Sequence, residues 1–405
     1  MINFQALADK YDTPLYLYDF DYLTAQYTKL KEAFRAKKSL ICYAVKANSN
    51  LSVIKHFGDL GAGCDCVSIG EVKRALYAGV PNYKIIFSGV GKRDEEIKEA
   101  LEKDILLINV ESEAELNRVE VQAAELNKQA RISIRVNPNI DPKTHPYIST
   151  GLHENKFGVD IDTAKRMYIL AKNSDFLDPV GIHFHIGSQL TELEPIKEAS
   201  AIVADLVRSL KVLKIDIKFF DIGGGLGIQY DDEKLIEPYD YAQAIFSTLS
   251  GLDVTIMCEP GRFMTANSGY FLTRVLYEKT NGDKRFVIVD GGMNDLIRPS
   301  LYKAFHKIEI VGKGEDEEVS DCDVVGPVCE SGDFFAKNIN LPLTRHNDLL
   351  VIHSAGAYCA TMSSNYNTRG RVAEVAVEGN SDRLIRRRET FEDMIMLEKD
   401  YLKDS

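Results

Sequence analysis

Between about residue 38 and residue 262, short apolar runs alternate with longer amphipathic ones. The short runs are 40–44, 64–68, 84–88, 106–110, 132–136, 180–186, 219–222 and 254–258. Most are continuously apolar, the pattern of parallel strands covered on both faces. The segments between them carry helical spacing; Ile202, Val203, Leu206 and Leu210 form one such stripe. Eight strand–helix repeats over roughly 225 residues predict an α/β (β/α)8 barrel of the TIM type, with a doubly wound open sheet as the alternative. After Arg262 the pattern changes. Runs 270–276, 285–290, 323–325 and 349–353 read as strands with little helix between them, which predicts an all-β barrel or sandwich as a C-terminal domain. The run 15–18 is expected to pair with that domain. The reading is therefore a barrel over 25–265, with 1–24 and 266–405 forming a mainly β domain. The charged tail from Asp382 is expected to be helical.

Bulk properties narrow the function. With 45% hydrophobic and 27% charged residues the chain has a globular composition. A net charge of −12 and no Lys/Arg block argue against a nucleic-acid partner. The start lacks a basic segment followed by an apolar run, and no apolar stretch approaches the roughly 20 residues of a membrane span, so a cytoplasmic location is expected. Seven scattered cysteines, an odd number, suit reduced thiols better than a zinc site.

In a barrel of this kind chemistry sits at the C-terminal ends of the strands, and the unusual residues recur there. Tyr43-Ala44-Val45-Lys46-Ala47-Asn48 closes the first run. A lysine buried there would have a lowered pKa, suited to a Schiff base with an aldehyde; the alternative is a lysine that snorkels to the surface. His183-Phe184-His185-Ile186-Gly187-Ser188 closes the sixth. Its histidines share a face, but a metal site would need a carboxylate or a third histidine that this stretch does not supply; His185 can instead stack flat on an aromatic ring. Asp221-Ile222-Gly223-Gly224-Gly225-Leu226-Gly227 closes the seventh, where a glycine turn either cradles a phosphate or simply turns. Glu259-Pro260-Gly261-Arg262 closes the eighth. Its glutamate can keep a pyridine nitrogen protonated, or form a structural pair with the arginine. Arg298-Pro299-Ser300-Leu301-Tyr302, Cys329-Glu330-Ser331 and Gly356-Ala357-Tyr358 lie in the second domain and by themselves read as surface or core residues.

Taken in order over nearly the whole chain, these motifs resemble the alanine-racemase-like, fold-type III class of pyridoxal-phosphate decarboxylases. RPSLY with VCES resembles the branch that acts on diaminopimelate. The resemblance implies a barrel followed by a β domain that also recruits the N-terminus, and a homodimer whose active sites form between the barrel of one chain and the β domain of the other. It implies pyridoxal 5'-phosphate as cofactor and no metal. Lys46 would carry the aldehyde, His185 stack on one ring face, and Glu259 pair with the pyridine nitrogen. The Gly223, Gly224 and Gly225 turn, the Gly261–Arg262 backbone, Ser188 and Tyr358 would hold the phosphate end. Cys329 would give the proton or lie beside the group that does.

The implied substrate, meso-2,6-diaminopimelate, carries an ammonium and a carboxylate at its distal end, so its site needs an acid and a base together. Glu330 can take the ammonium; Arg262 and Arg298, assisted by Tyr302 and Tyr358, can take the carboxylate. The expected reaction is decarboxylation to L-lysine, the last step of lysine biosynthesis. The alternatives are a related decarboxylase of carboxynorspermidine, arginine or ornithine, an amino-acid racemase on the same barrel, and a cofactor-carrying protein without activity. A racemase favours an arginine beside the pyridine nitrogen, and Glu259 argues against it.

Overall fold

The computed structural model describes residues 2–141, 156–314 and 317–402. They form two compact units. One holds Thr24–Gln229 and Glu233–Met264; the other takes the chain up to Leu23, Tyr230–Asp232, and the chain from Thr265 onward.

The first strand, β1 (Leu15–Asp19), belongs to the second of these units. The next eight close a parallel barrel in sequence order: β2 (Ser39–Ala44), β3 (Gly63–Cys66), β4 (Ile85–Phe87), β5 (Leu107–Val110), β6 (Ala130–Arg135), β7 (Leu177–His183), β8 (Phe219–Asp221) and β9 (Thr255–Cys258). Closure is made by β9 against β2, through Ser39↔Ile256, Leu40↔Met257 and Ile41↔Cys258. That pairing eliminates the open-sheet alternative. Cys42, Ile86, Leu107, Val180 and Met257 pack into one apolar cluster. The helix Leu193–Val212 buries Val203, Leu206 and Leu210 of the predicted stripe, with Val207 in place of Ile202, which is only half-buried. Short strand-to-helix turns end on side-chain caps, Ser68 accepting from Glu71 N and Ser112 from Glu115 N.

The second unit is a mixed sheet built around β10 (Gly269–Asn281). This strand pairs antiparallel with β1, with β11 (Lys284–Val289) and with β15 (Leu349–Ile352). Further out lie β12 (Ile308–Ile310), which pairs with β15, and β13 (Val319–Val325) and β14 (Phe334–Pro342). The strand β16 (Ala373–Glu378) pairs parallel with β1, and β17 (Ser381–Arg386) closes the order β14-β13-β11-β10-β1-β16-β17. Leu15, Leu17, Leu272, Leu349, Val351, Ala373 and Val375 share one core. The helical expectation for the tail from Asp382 is corrected. Residues 382–386 are an edge strand, and helix starts only at Phe391–Ile395. Pairing with β16 satisfies the backbone, and the charges that suggested a solvated helix instead decorate an exposed edge. No helix among the described residues is long and apolar enough to cross a membrane.

Candidate active site

Four strand ends of the barrel unit bring unusual polar groups together. β2 stops at Ala44, and Lys46 sits in the single 3-10 turn Val45–Ala47 that follows. The turn is pinned by Tyr43 Oη donating to Asn48 O at 2.8 Å and by Ala44 N donating to Pro260 O at 3.1 Å. Lys46 Nζ lies 3.6 Å from Asp65 Oδ2, and its side chain is 41% exposed while that of Asp65 is fully buried. The expectation of a lysine desolvated inside a strand is therefore corrected. Lys46 stands just past the strand, with a buried carboxylate behind it and its side chain partly exposed.

The carboxylates missing from the histidine motif arrive from neighbouring strands. His183 ends β7, Asp221 ends β8 and Glu259 follows β9. One atom from each lies within 4.8 Å of the others, all three side chains buried, and His183 Nε2 is 3.3 Å from Glu259 Oε2. Not all of these acids can be charged together. Burial pushes Glu259 up, but the adjacent His183 outweighs it and holds this carboxyl below its usual range. Burial, then the Glu259 charge, pushes Asp221 well above its range and raises Asp65 as well. The negative charge of this cluster is thus favoured on Glu259 over Asp221 and Asp65. The trio has the donor set of a metal site, and equally forms an acidic socket for a pyridine nitrogen.

Beside it runs the glycine turn. Gly223, at φ +65°, donates to Asp221 Oδ1 at 2.9 Å, and Glu259 N donates to Gly223 O at 2.8 Å. Gly224 N donates to His185 Nδ1 at 3.2 Å, which makes that nitrogen an acceptor. Burial, with Arg135 and Lys46 nearby, keeps the His185 imidazole well below its usual pKa and so neutral. Gly225, at φ +119°, approaches so closely that a Cβ there would lie 2.6 Å from Gly187 O. Arg262, in the short helix Arg262–Thr265, donates through Nε to Ser188 Oγ at 3.2 Å, and Gly261 precedes it, buried.

These residues fit the cofactor that the resemblance implies. Glu259 Oε1 is buried without a hydrogen-bond partner among the described residues, an acceptor awaiting an N–H. The glycine turn leaves no volume for side chains and presents main chain, as phosphate binding requires. A neutral imidazole, His185, is held against that turn.

The sequence reading gave no role to Asp65, His183 and Asp221, nor to Arg135 and Glu111. Arg135, ending β6, donates through Nη1 to Glu111 Oε1 at 3.1 Å, lies over the Phe157 ring at 4.6 Å, and keeps a buried Nη2 without a partner among the described residues. Asp65 left a signal, a lone acid in an otherwise apolar strand, Gly63–Cys66.

In the second unit, Arg298 is buried in the short helix Arg298–Tyr302. It donates through Nη2 to Tyr230 Oη at 3.2 Å and through Nε to His306 Nε2 at 3.3 Å, with its guanidinium over the Tyr230 and Tyr302 rings. No carboxylate among the described residues lies within ion-pairing distance of it. Cys329 and Glu330 are exposed; Asn367 Oδ1 accepts from Cys329 N at 2.9 Å, and Glu330 Oε1 from Gly332 N at 3.3 Å. Tyr358 is half-buried at φ +58°.

The chain is similar to known proteins over nearly its whole length. Residues 21–266 match the family described as pyridoxal-dependent decarboxylase, pyridoxal binding domain. A relative from Campylobacter jejuni subsp. jejuni, named diaminopimelate decarboxylase, is 62% identical over 99% of this chain and 100% of its own. The crystal structure of diaminopimelate decarboxylase from Helicobacter pylori complexed with L-lysine superposes with a TM-score of 0.96 at 54% identity, covering 99% of this chain and 100% of that one. A lysine/ornithine decarboxylase from Vibrio vulnificus complexed with cadaverine reaches a TM-score of 0.81 over 93% of this chain and 95% of its own, at 24% identity, a likeness of fold alone.

Proposed function

The chain belongs to the pyridoxal-dependent diaminopimelate decarboxylases, and on that premise we propose which of its residues do the work. The reaction is the decarboxylation of meso-2,6-diaminopimelate to L-lysine and CO₂, the last step of lysine biosynthesis, with pyridoxal 5'-phosphate as cofactor. When bound, the cofactor supplies an electron sink for the charge left behind as CO₂ departs. Lys46 offers the amine that carries it. Glu259 would pair with the ring nitrogen, and the neighbouring His183 keeps that carboxylate ionised. His185 would cover a ring face. The Gly223–Gly225 turn, Ser188, and the Gly261–Arg262 main chain hold the phosphate, with Tyr358 assisting. The observation that carries this reading is the buried, partnerless Glu259 oxygen beside a glycine turn and a neutral imidazole, with the amine of Lys46 on the adjoining strand end.

For the substrate, Arg298 is assigned to the distal carboxylate, with Tyr302 at its side; Glu330 takes the distal ammonium. Burying a guanidinium without an anion is costly unless a ligand brings one, and simple diamines bring none. Arg262 and Tyr358 are further candidates for substrate contact. Cys329 is assigned as proton donor, or the immediate neighbour of it. We propose further that the protein is cytoplasmic and works as a homodimer whose active sites are shared between chains. The test is release of CO₂ and lysine from meso-diaminopimelate by the pure protein with added cofactor. Lys46→Ala should lose both turnover and the visible absorbance of the lysine-bound cofactor; a persisting band would mean Lys46 is the wrong residue. Lys46→Ala mixed with Cys329→Ala, each nearly inactive, should recover part of the activity if sites are shared; no recovery would remove the shared site.

A further inference from the structure

The buried Arg298 is held by an imidazole that no catalytic role requires. His306 lies between the Arg298–Tyr302 helix and β12, and only 2% of it is accessible. Its Nδ1 is 2.9 Å from His353 O. A carbonyl oxygen only accepts, so Nδ1 carries the hydrogen and Nε2 presents its lone pair. That lone pair meets Arg298 Nε at 3.3 Å. The carbonyl is itself fixed, because His353 follows β15, whose Ile352 pairs with Ile308, and His353 N donates to Lys307 O at 2.9 Å. Tyr230 closes the other side, its ring edge-on to His306 at 5.7 Å and its hydroxyl accepting from Arg298 Nη2. A guanidinium has five N–H groups. These contacts use Nε and one hydrogen of Nη2, which leaves the Nη1–Nη2 end free to grip a carboxylate with two parallel bonds.

We propose that His306 is a positioning residue for substrate specificity: its Nδ1–H tautomer, locked by the His353 carbonyl, orients Arg298 so that its fork meets the distal carboxylate of the substrate. This rests on the assignment of Arg298 to that carboxylate. The imidazole suits the task because an acidic partner at the same place would neutralise the guanidinium and compete with the ligand, whereas a neutral acceptor fixes it and leaves its charge available.

Two replacements separate acceptor from donor. His306→Gln places an acceptor near the Nε2 position, and His306→Asn keeps only the group nearer the backbone. His306→Asn should raise KM for meso-diaminopimelate about tenfold with little change in kcat, the loss of one hydrogen bond to a charged group. His306→Gln should stay within about threefold of the parent. Arg298→Gln should raise KM at least as much, and adding His306→Asn to it should cost nothing more. If the two effects multiply, or if His306→Asn leaves KM unchanged while Arg298→Gln raises it, the positioning role is wrong and the assignment of Arg298 stands. If Arg298→Gln leaves KM unchanged, the assignment beneath it fails. Nitrogen-15 spectra of the parent protein test the tautomer independently of any variant's folding. A hydrogen on Nε2 of His306 would overturn the proposal.

Discussion

Gly224→Ala isolates a steric consequence of the barrel mouth. The backbone of Gly224 lies outside the left-handed region, so alanine meets no left-handed penalty there; the obstacle is space. A Cβ at this position would lie 2.2 Å from Glu259 O and 3.1 Å from Glu259 C. Restoring ordinary contact requires a separation of about 1 Å between the glycine turn and the end of β9. Both neighbours are main chain, so no side chain can rotate away. Overpacking of this kind costs about 1–3 kcal/mol, or about 2–4 °C of Tm per kcal/mol in a unit of this size. The separation also pulls at two bonds that shape the site, Glu259 N to Gly223 O and Gly224 N to His185 Nδ1. The phosphate turn and the pyridine partner move apart together, so the cofactor dissociation constant should rise at least about tenfold, equivalent to 1.4 kcal/mol. The assay is titration of the apoprotein with pyridoxal phosphate, read by absorbance, beside a melting curve. Gly91→Ala is the control, because nothing lies within 4 Å of a Cβ added there and its backbone is equally permissive. If Gly224→Ala binds cofactor and melts as Gly91→Ala does, the contact between turn and strand end is not what shapes the site.

Two further predictions concern charge. Glu259→Gln keeps the shape and removes the carboxylate that pairs with the ring nitrogen; kcat should fall at least about tenfold, the scale of one charge-assisted bond, with a shifted cofactor absorbance, and unchanged kcat would exclude this residue as the pyridine partner. Burial pushes Glu71, which accepts from Val67 N at 2.7 Å, from 4.5 up to about 7. Its folded value exceeds its unfolded one, so its contribution to stability is full below pH 4.5 and is lost as pH rises through 7. Glu71→Gln stays neutral throughout and should gain stability over the parent by up to about 3 kcal/mol between pH 5 and pH 8, in urea unfolding; a pH-independent difference would show that Glu71 titrates normally.

What could be read in the chain before folding follows from how local each cause is. The barrel strands were legible because a buried parallel strand is a short apolar run whatever surrounds it. The sixth run shows the limit. The strand spans Leu177–His183, starting earlier than its apolar run because Asp178 and Pro179 disguise its first residues; the register against β6 shifts between Ile132 and Ser133, next to the Ile132↔Pro179 pair, and accommodates the proline. Edge strand β17 was illegible for a related reason: SDRLIR has too few apolar positions to declare a period, and only its pairing with β16 makes it a strand. At the site, motifs located the residues that project from strand ends but not the groups that set their state. Lys46 looked like a desolvated amine; its partial exposure and the buried Asp65 beside it depend on where β2 stops and on β3 lying alongside. The histidine motif looked carboxylate-free because its acids belong to β8 and to the segment after β9, strands that parallel pairing sets beside β7 in turn, while closure of β9 on β2 adds the Lys46 end. Which acid is charged is then decided by proximity to His183, a tertiary fact. The same logic places His306 behind Arg298: the spacing along the chain offers several acceptors, and the β12–β15 pairing, through the His353 carbonyl, selects the one whose lone pair faces the guanidinium.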